Sequence, residues 1–220
     1  HRVHRRQRQM CIRDRSLTSR DKNAEDPIPM AGFPWHGLED HLRTMLRAGY
    51  KVTVAEQEEE LRPGAKLLER VATRVYTPGS LYEEGLLNGD EQSLLAAVVL
   101  ATDALGLAVI DASTGKAWAS THAGSDRMLR LQDELLRWQP SELVVSPKDA
   151  GDEGLGRLFP LLESTMVSQH KLSPAKRDER LRAMLNVADL GHLDLDHAPL
   201  AISATFNTVS YTHLRAHETL

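Results

Sequence analysis

Apolar positions change period along the chain, and the changes mark its elements. Residues 17–36 (LTSRDKNAEDPIPMAGFPWH) have no period and are punctuated by Pro27, Pro29, Gly32 and Pro34, so they are read as an irregular loop. In GLEDHLRTMLRAGY, Leu38, Leu42, Met45 and Leu46 recur at the spacing of one helix face, and Gly49 supplies a C-terminal stop. Lys51 to Glu56 alternates with β-branched residues and predicts a strand. Residues 57–69 are polar and acidic and are broken by Pro63-Gly64. Arg70 to Tyr76 predicts a second strand, closed by the turn Thr77-Pro78-Gly79.

The texture changes after Pro78. Residues 80–92 read as a polar linker, and three strand-like runs follow: Ser93 to Ala101, Gly106 to Asp111 and Lys116 to Thr121, the last two joined at Ser113-Thr114-Gly115. This order predicts a β-meander. Ser125 is read as the cap of a helix to Trp138 with Met128, Leu131, Leu135 and Leu136 on its buried face, and Pro140 stops it. Glu142 to Ser146 predicts a short buried strand. Helices then follow behind Ser173-Pro174, burying Leu181, Met184 and Leu185, and from about Pro199. Three strands, a crossover helix and a further strand predict a layered α/β domain, with the boundary between Pro78 and Ser93.

Composition narrows the class. The chain has 220 residues, 41% hydrophobic, which suits one large domain or two small ones. No apolar run approaches the roughly 20 residues of a membrane span, and no apolar segment follows the basic N-terminus as in a secretory signal. The single cysteine, Cys11, excludes an internal disulfide framework and a cysteine-based zinc site. These features point to a cytoplasmic protein. The net charge of −4 conceals an asymmetry, because residues 1–15 alone hold six arginines and the body is correspondingly more acidic. A body of that sign binds nucleic acid only through a local site.

Both ends stand apart. QRQMCIRDR near the start and VSYTHLRAHETL at the end resemble translated sequencing-adapter read-through. Residues 1–15 and 209–220 are therefore expected to be foreign to the fold and to make few contacts with the body.

Ser113-Thr114-Gly115-Lys116 has the end of a phosphate loop, but Ile110 stands where the first glycine is required, and a helix does not follow. His192, Asp194, Asp196 and His197 have the composition of a cation loop but read as a solvated polar turn. Asp111 ends a strand, where ribonuclease-H-like nucleases keep an acid, with Asp133 or Glu134 as a second carboxylate; its plainer role is to bond the backbone of the turn after it. Arg20, Lys22, Arg43, Arg47 and Lys51 make the first segment locally basic, as phosphate contact requires. On the proline-stiffened loop, Met30 or Phe33 has the character of a minor-groove wedge; the competing reading makes Met30, Phe33 and Trp35 core under the loop.

Several blocks resemble the MutS family of DNA mismatch-repair proteins. Leu17-Thr18-Ser19-Arg20 and Asp26-Pro27-Ile28-Pro29-Met30-Ala31-Gly32-Phe33-Pro34-Trp35-His36 are similar to that family's LT-x-R and PIPMAG-x-P-[YW]-H segments. Ala48-Gly49-Tyr50-Lys51-Val52, Ala55-Glu56-Gln57 and Arg74-Val75-Tyr76-Thr77-Pro78-Gly79-Ser80 follow its later blocks. Asn88, Leu94-Leu95-Ala96-Ala97 and Asp111-Ala112-Ser113-Thr114-Gly115 are similar to the start of its connector domain. The likeness spans about residues 17–205 and weakens after 140. The stretch after Gln57 departs from the family pattern.

The resemblance implies an α/β fold. A partial mixed α/β mismatch-recognition domain (16–79) and a linker (80–92) precede a truncated ribonuclease-H-like connector domain (93–208) without nuclease activity. It implies binding of mismatched double-stranded DNA, with Arg20 and Met30 at positions that approach DNA beside the mismatch. It also implies a MutL-type partner, a homodimeric parent, and ATP and magnesium held in a domain outside these residues, so no catalysis, cofactor or metal is expected here. The family's Phe-x-Glu wedge does not occur, since Phe33, Phe159 and Phe206 are followed two residues on by Trp35, Leu161 and Thr208. The chain is therefore expected to begin after that wedge. A ribonuclease-H-like nuclease using Asp111, and a protein-interaction module without DNA binding, stay open as alternatives.

Overall fold

The computed structural model describes residues 18–19, 29–30, 33–57, 70–79, 93–171, 177–190 and 198–217, with side chains from Phe33 to Thr212. The expectations for residues 1–15, the acidic loop, the linker, Ser173-Pro174 and the His192–His197 loop lie outside them.

The first half is small. β1 (Thr18–Ser19) pairs antiparallel with β2 (Pro29–Met30). A single 3₁₀ turn, Trp35–Gly37, leads into α1 (Leu38–Arg47), and Gly49 ends the helix region with φ +77°. β3 (Val52–Gln57) and β4 (Arg70–Tyr76) form an antiparallel ladder with a bulge between Val54 and Ala55. The apolar face of α1 buries Leu42 and Leu46 against Val52, Val54 and Tyr76, so the helix covers one face of this hairpin.

The second half is a five-stranded sheet in the order β7-β6-β5-β8-β9. β5 (Leu94–Leu100), β6 (Ala104–Asp111) and β7 (Ala117–Ala123) are the antiparallel meander, and β8 (Glu142–Val145) and β9 (Met166–Gln169) extend it in parallel from β5. Alternate residues face opposite layers. Leu94, Ala96, Val98, Leu105, Leu107, Val109, Leu143 and Val145 form one core with Leu131 and Leu135 of α2 (Arg127–Trp138). The short helix α3 (Glu153–Gly156) closes that layer through Leu155. The other face is covered by α5 (Pro199–His217), and α4 (Arg177–Leu185) packs on α5 through Leu181, Ile202 and Phe206. The result is three layers, helix on sheet on helix, and the class is mixed α/β.

The approach of α5 is close because the residues beneath it are small. A Cβ built on Gly106 would lie 2.2 Å from the Leu200 carbonyl oxygen. Two buried hydroxyls of α5 are satisfied within the helix: Ser203 donates to the Pro199 carbonyl at 2.6 Å and Thr205 to that of Ala201 at 2.9 Å.

Three expectations are corrected and two elements are new. Ser125 does not cap α2; Asp126 occupies that position without a side-chain cap bond, and Arg130 pairs with it at 2.8 Å. Leu136 is 43% exposed, because it lies at the flank of the helix face that Leu131 and Leu135 centre. β9 and α3 were not anticipated: MVSQ and EGLG are too short and too weakly patterned to signal an element. The expectation that residues 209–220 make few contacts fails at Tyr211. α5 continues through His217, and the Tyr211 ring is buried with Leu95, Ala97 and Val144 while its hydroxyl donates to Glu142 Oε1 at 2.6 Å.

Candidate nucleic-acid interface

The site inferred from sequence is built on the first segment. The β1–β2 ladder sets Thr18 opposite Met30 and Ser19 opposite Pro29. Arg20 itself lies outside the described residues, as does the Met30 side chain; only the Met30 backbone is placed, in β2.

Downstream of this ladder the chain displays aromatic surface. Trp35 is 72% exposed and Phe33 41% exposed, which overturns the reading of these two residues as core. Pro34 and the 3₁₀ turn hold them outside the α1 packing face, and Phe33 leans on the His41 ring at 4.5 Å between centroids. Sequence reasoning left Phe33 open between wedge and core and gave Trp35 only as core, because an isolated aromatic beside prolines carries no periodicity to say which way it faces. Among the basic candidates, Arg43 bonds Asp40 at 2.7 Å on the same helix; Arg47, the last residue of α1, and Lys51, just before β3, are exposed. The first turn of α1 carries Glu39 and Asp40, so its N-terminus is unsuited to a phosphate.

The second candidate, Asp111, is a turn residue. It is buried at the end of β6; Oδ1 accepts from the Ser113 amide at 2.9 Å and the Ser113 hydroxyl at 2.6 Å, and Oδ2 accepts from the Thr114 hydroxyl at 2.9 Å. Burial raises its pKa, but the hydrogen bonds from the Ser113 and Thr114 side chains and amides outweigh burial and hold the carboxyl below its ordinary 3.8. Both oxygens are thus committed to the turn. Glu134, offered as a second acid, instead accepts from the Trp138 indole at 2.9 Å, and the Trp138 ring lies tilted against that of Trp118. Among the described residues no cluster of three or more His, Cys, Asp or Glu side chains could hold a metal. Ser113-Thr114-Gly115-Lys116 joins two antiparallel strands, so it does not fit a nucleotide phosphate. No helix among the described residues is long and apolar enough to cross a membrane.

A small helix-covered hairpin followed by a mixed five-stranded sheet between helices defines a two-part α/β protein. Family comparison resolves the class. Residues 11–85 match the model for MutS domain I and residues 93–220 that for MutS domain II. The chain belongs to the MutS family. It is 32% identical over 205 residues to the DNA mismatch repair protein MutS of Syntrophomonas wolfei, covering 89% of this chain and 23% of that protein. It is 35% identical over 211 residues to the protein of the same name from Acaryochloris marina, again covering 89% of this chain and 23% of that one. The chain thus spans about a quarter of the length of these relatives.

Proposed function

We propose that this chain is the mismatch-recognition and connector part of a mismatch-binding repair protein, and that its first segment contacts duplex DNA. Arg20 contacts a phosphate beside the lesion and Met30 lies against the distorted minor groove. Residues 93–208 act as a ribonuclease-H-like connector without nuclease chemistry. ATP and magnesium are held by another part of the whole protein. The whole protein works in the cytoplasm as a homodimer that recruits a MutL-type partner. The observation that carries the DNA reading is the β1–β2 ladder, which pairs Thr18–Ser19 with Pro29–Met30 within a segment matching MutS domain I. The engagement of both Asp111 oxygens by the turn argues against the nuclease alternative.

A fluorescence anisotropy titration of labelled duplex with the 220-residue protein tests this reading. Weak, salt-sensitive binding with little preference for a mismatch is expected, because the Phe-x-Glu wedge is lacking and the body is acidic. No binding at low salt would leave the chain an interaction module. Magnesium-dependent cleavage of the duplex would restore the nuclease alternative.

A further inference from the structure

We infer that Glu142 is a latch that fixes the direction in which the first half of the molecule leaves the second. Glu142 opens β8, every residue of which is buried, and its own exposure is 0%. Its neighbours Leu143, Val144 and Val145 are apolar, so packing alone calls for an apolar residue here; a buried carboxylate is costly unless its oxygens are well partnered. They are partnered from three separate stretches of chain. The Gly79 amide donates to Oε2 at 3.2 Å, and Ser168 Oγ of β9 and the Tyr211 hydroxyl of α5 donate to Oε1 at 2.5 and 2.6 Å. The Gly79 bond is the distinctive one, because Gly79 lies three residues beyond the end of β4, in the peptide that leaves the first hairpin.

That peptide is seated rather than draped. Thr77, Pro78 and Gly79 are all buried. Ser93 Oγ donates to the Pro78 carbonyl at 3.1 Å, and a Cβ on Gly79 would come within 2.6 Å of the Glu142 Cβ and 3.0 Å of Leu95 Cδ1. Only glycine fits against the carboxylate stem. The β4 ladder is therefore clamped at its exit to the sheet that begins at Ser93, by the Glu142 carboxylate on Gly79 and the Ser93 hydroxyl on Pro78. Hydroxyl groups can reverse donor and acceptor roles but an amide N–H cannot, so the bond to Gly79 sets which oxygen must stay an acceptor. None of this depends on DNA binding.

The test reads local opening separately from global stability. Amide exchange is followed at Gly79 and, as controls, at Val98 and Leu107 of the central strands. Spin labels at the exposed positions Ala48 and Lys148, in a Cys11→Ser background, report the distance distribution between the halves. In Glu142→Met, Gly79 exchange should quicken by about tenfold, the equivalent of one lost hydrogen bond, with the controls changing less than about threefold and the distance distribution broadening. Glu142→Gln should keep Gly79 protection within about threefold, its amide oxygen facing Gly79 while the Ser168 and Tyr211 hydroxyls turn to accept. If Glu142→Met fails to fold, Gly79→Ala takes its place, since it leaves the carboxylate and both hydroxyl donors intact; it should broaden the same distribution. Unchanged Gly79 protection in Glu142→Met, or loss in equal proportion at Gly79, Val98 and Leu107, overturns the proposal. Failure of both variants to fold does so too, because Glu142 is then a residue the sheet cannot form without.

Discussion

Asp111 illustrates how a residue with catalytic credentials can be used for architecture. Its hydrogen bonds favour the ionised form more than burial opposes it, so its pKa in the folded protein lies below the ordinary value. A depressed carboxylate contributes stability that is present above the unfolded pKa and lost as pH falls through the folded one. Asp111→Asn should therefore cost about 1–2 kcal/mol at pH 7. The gap to the parent protein should narrow as pH falls below about 4, measured by urea unfolding across that range. A gap independent of pH would show that the charge is not what holds the turn. Leu131 and Leu136 make a second residue-scale contrast. Both are leucines on α2, one fully buried and one 43% exposed. Leu131→Ala should lose about 2–5 kcal/mol and Leu136→Ala less than about 0.5 kcal/mol. Equal losses by thermal or urea unfolding would contradict the packing described. The sequence placed both on the buried face, because helical spacing gives the centre of an apolar stripe but not its edge.

At the scale of elements, β5 and β6 were legible because each is an apolar run between clear turns, and β7 because the Ser113-Thr114-Gly115 turn returns the chain beside β6. α1 and α2 were legible because their leucines keep helical period. β9 was not: Met166 and Val167 are its only apolar residues, and its place in the sheet comes from pairing with β8 rather than from its own pattern. Glu142 was read only as the first residue of a strand, since nothing local says that an acid there has donors from residues 79, 168 and 211. The packing of α5 on β6 was equally hidden. Its determinant is Gly106, where any side chain meets the Leu200 carbonyl. Gly106→Ala should destabilise the protein by about 1–3 kcal/mol through overpacking, although alanine suits a strand better than glycine does. A neutral or stabilising effect in urea unfolding would mean that α5 sits further from the sheet than described.

For the whole molecule, the division into two parts was legible from the change in pattern after Pro78, and the family from motif blocks in the first eighty residues. The position of the join was less so. Thr77, Pro78 and Gly79 read as the end of the first part, yet the bonds of Pro78 to Ser93 and of Gly79 to Glu142 seat the turn in the second. The candidate contacts were legible only by resemblance, since composition gives a net charge of −4 and points away from nucleic acid. DNA binding by an acidic chain must come from a few local cations, and so each should count visibly in the salt dependence. The decisive measurement is a salt-titrated binding curve for the wild-type, Arg20→Ala and Met30→Ala proteins on matched and mismatched duplexes. The account predicts weak binding whose logarithmic salt slope falls by about 1 in Arg20→Ala on both duplexes, while Met30→Ala acts mainly on the mismatched one. Tight, mismatch-selective binding by the wild-type chain, or an Arg20→Ala curve superimposed on the wild type, would contradict it.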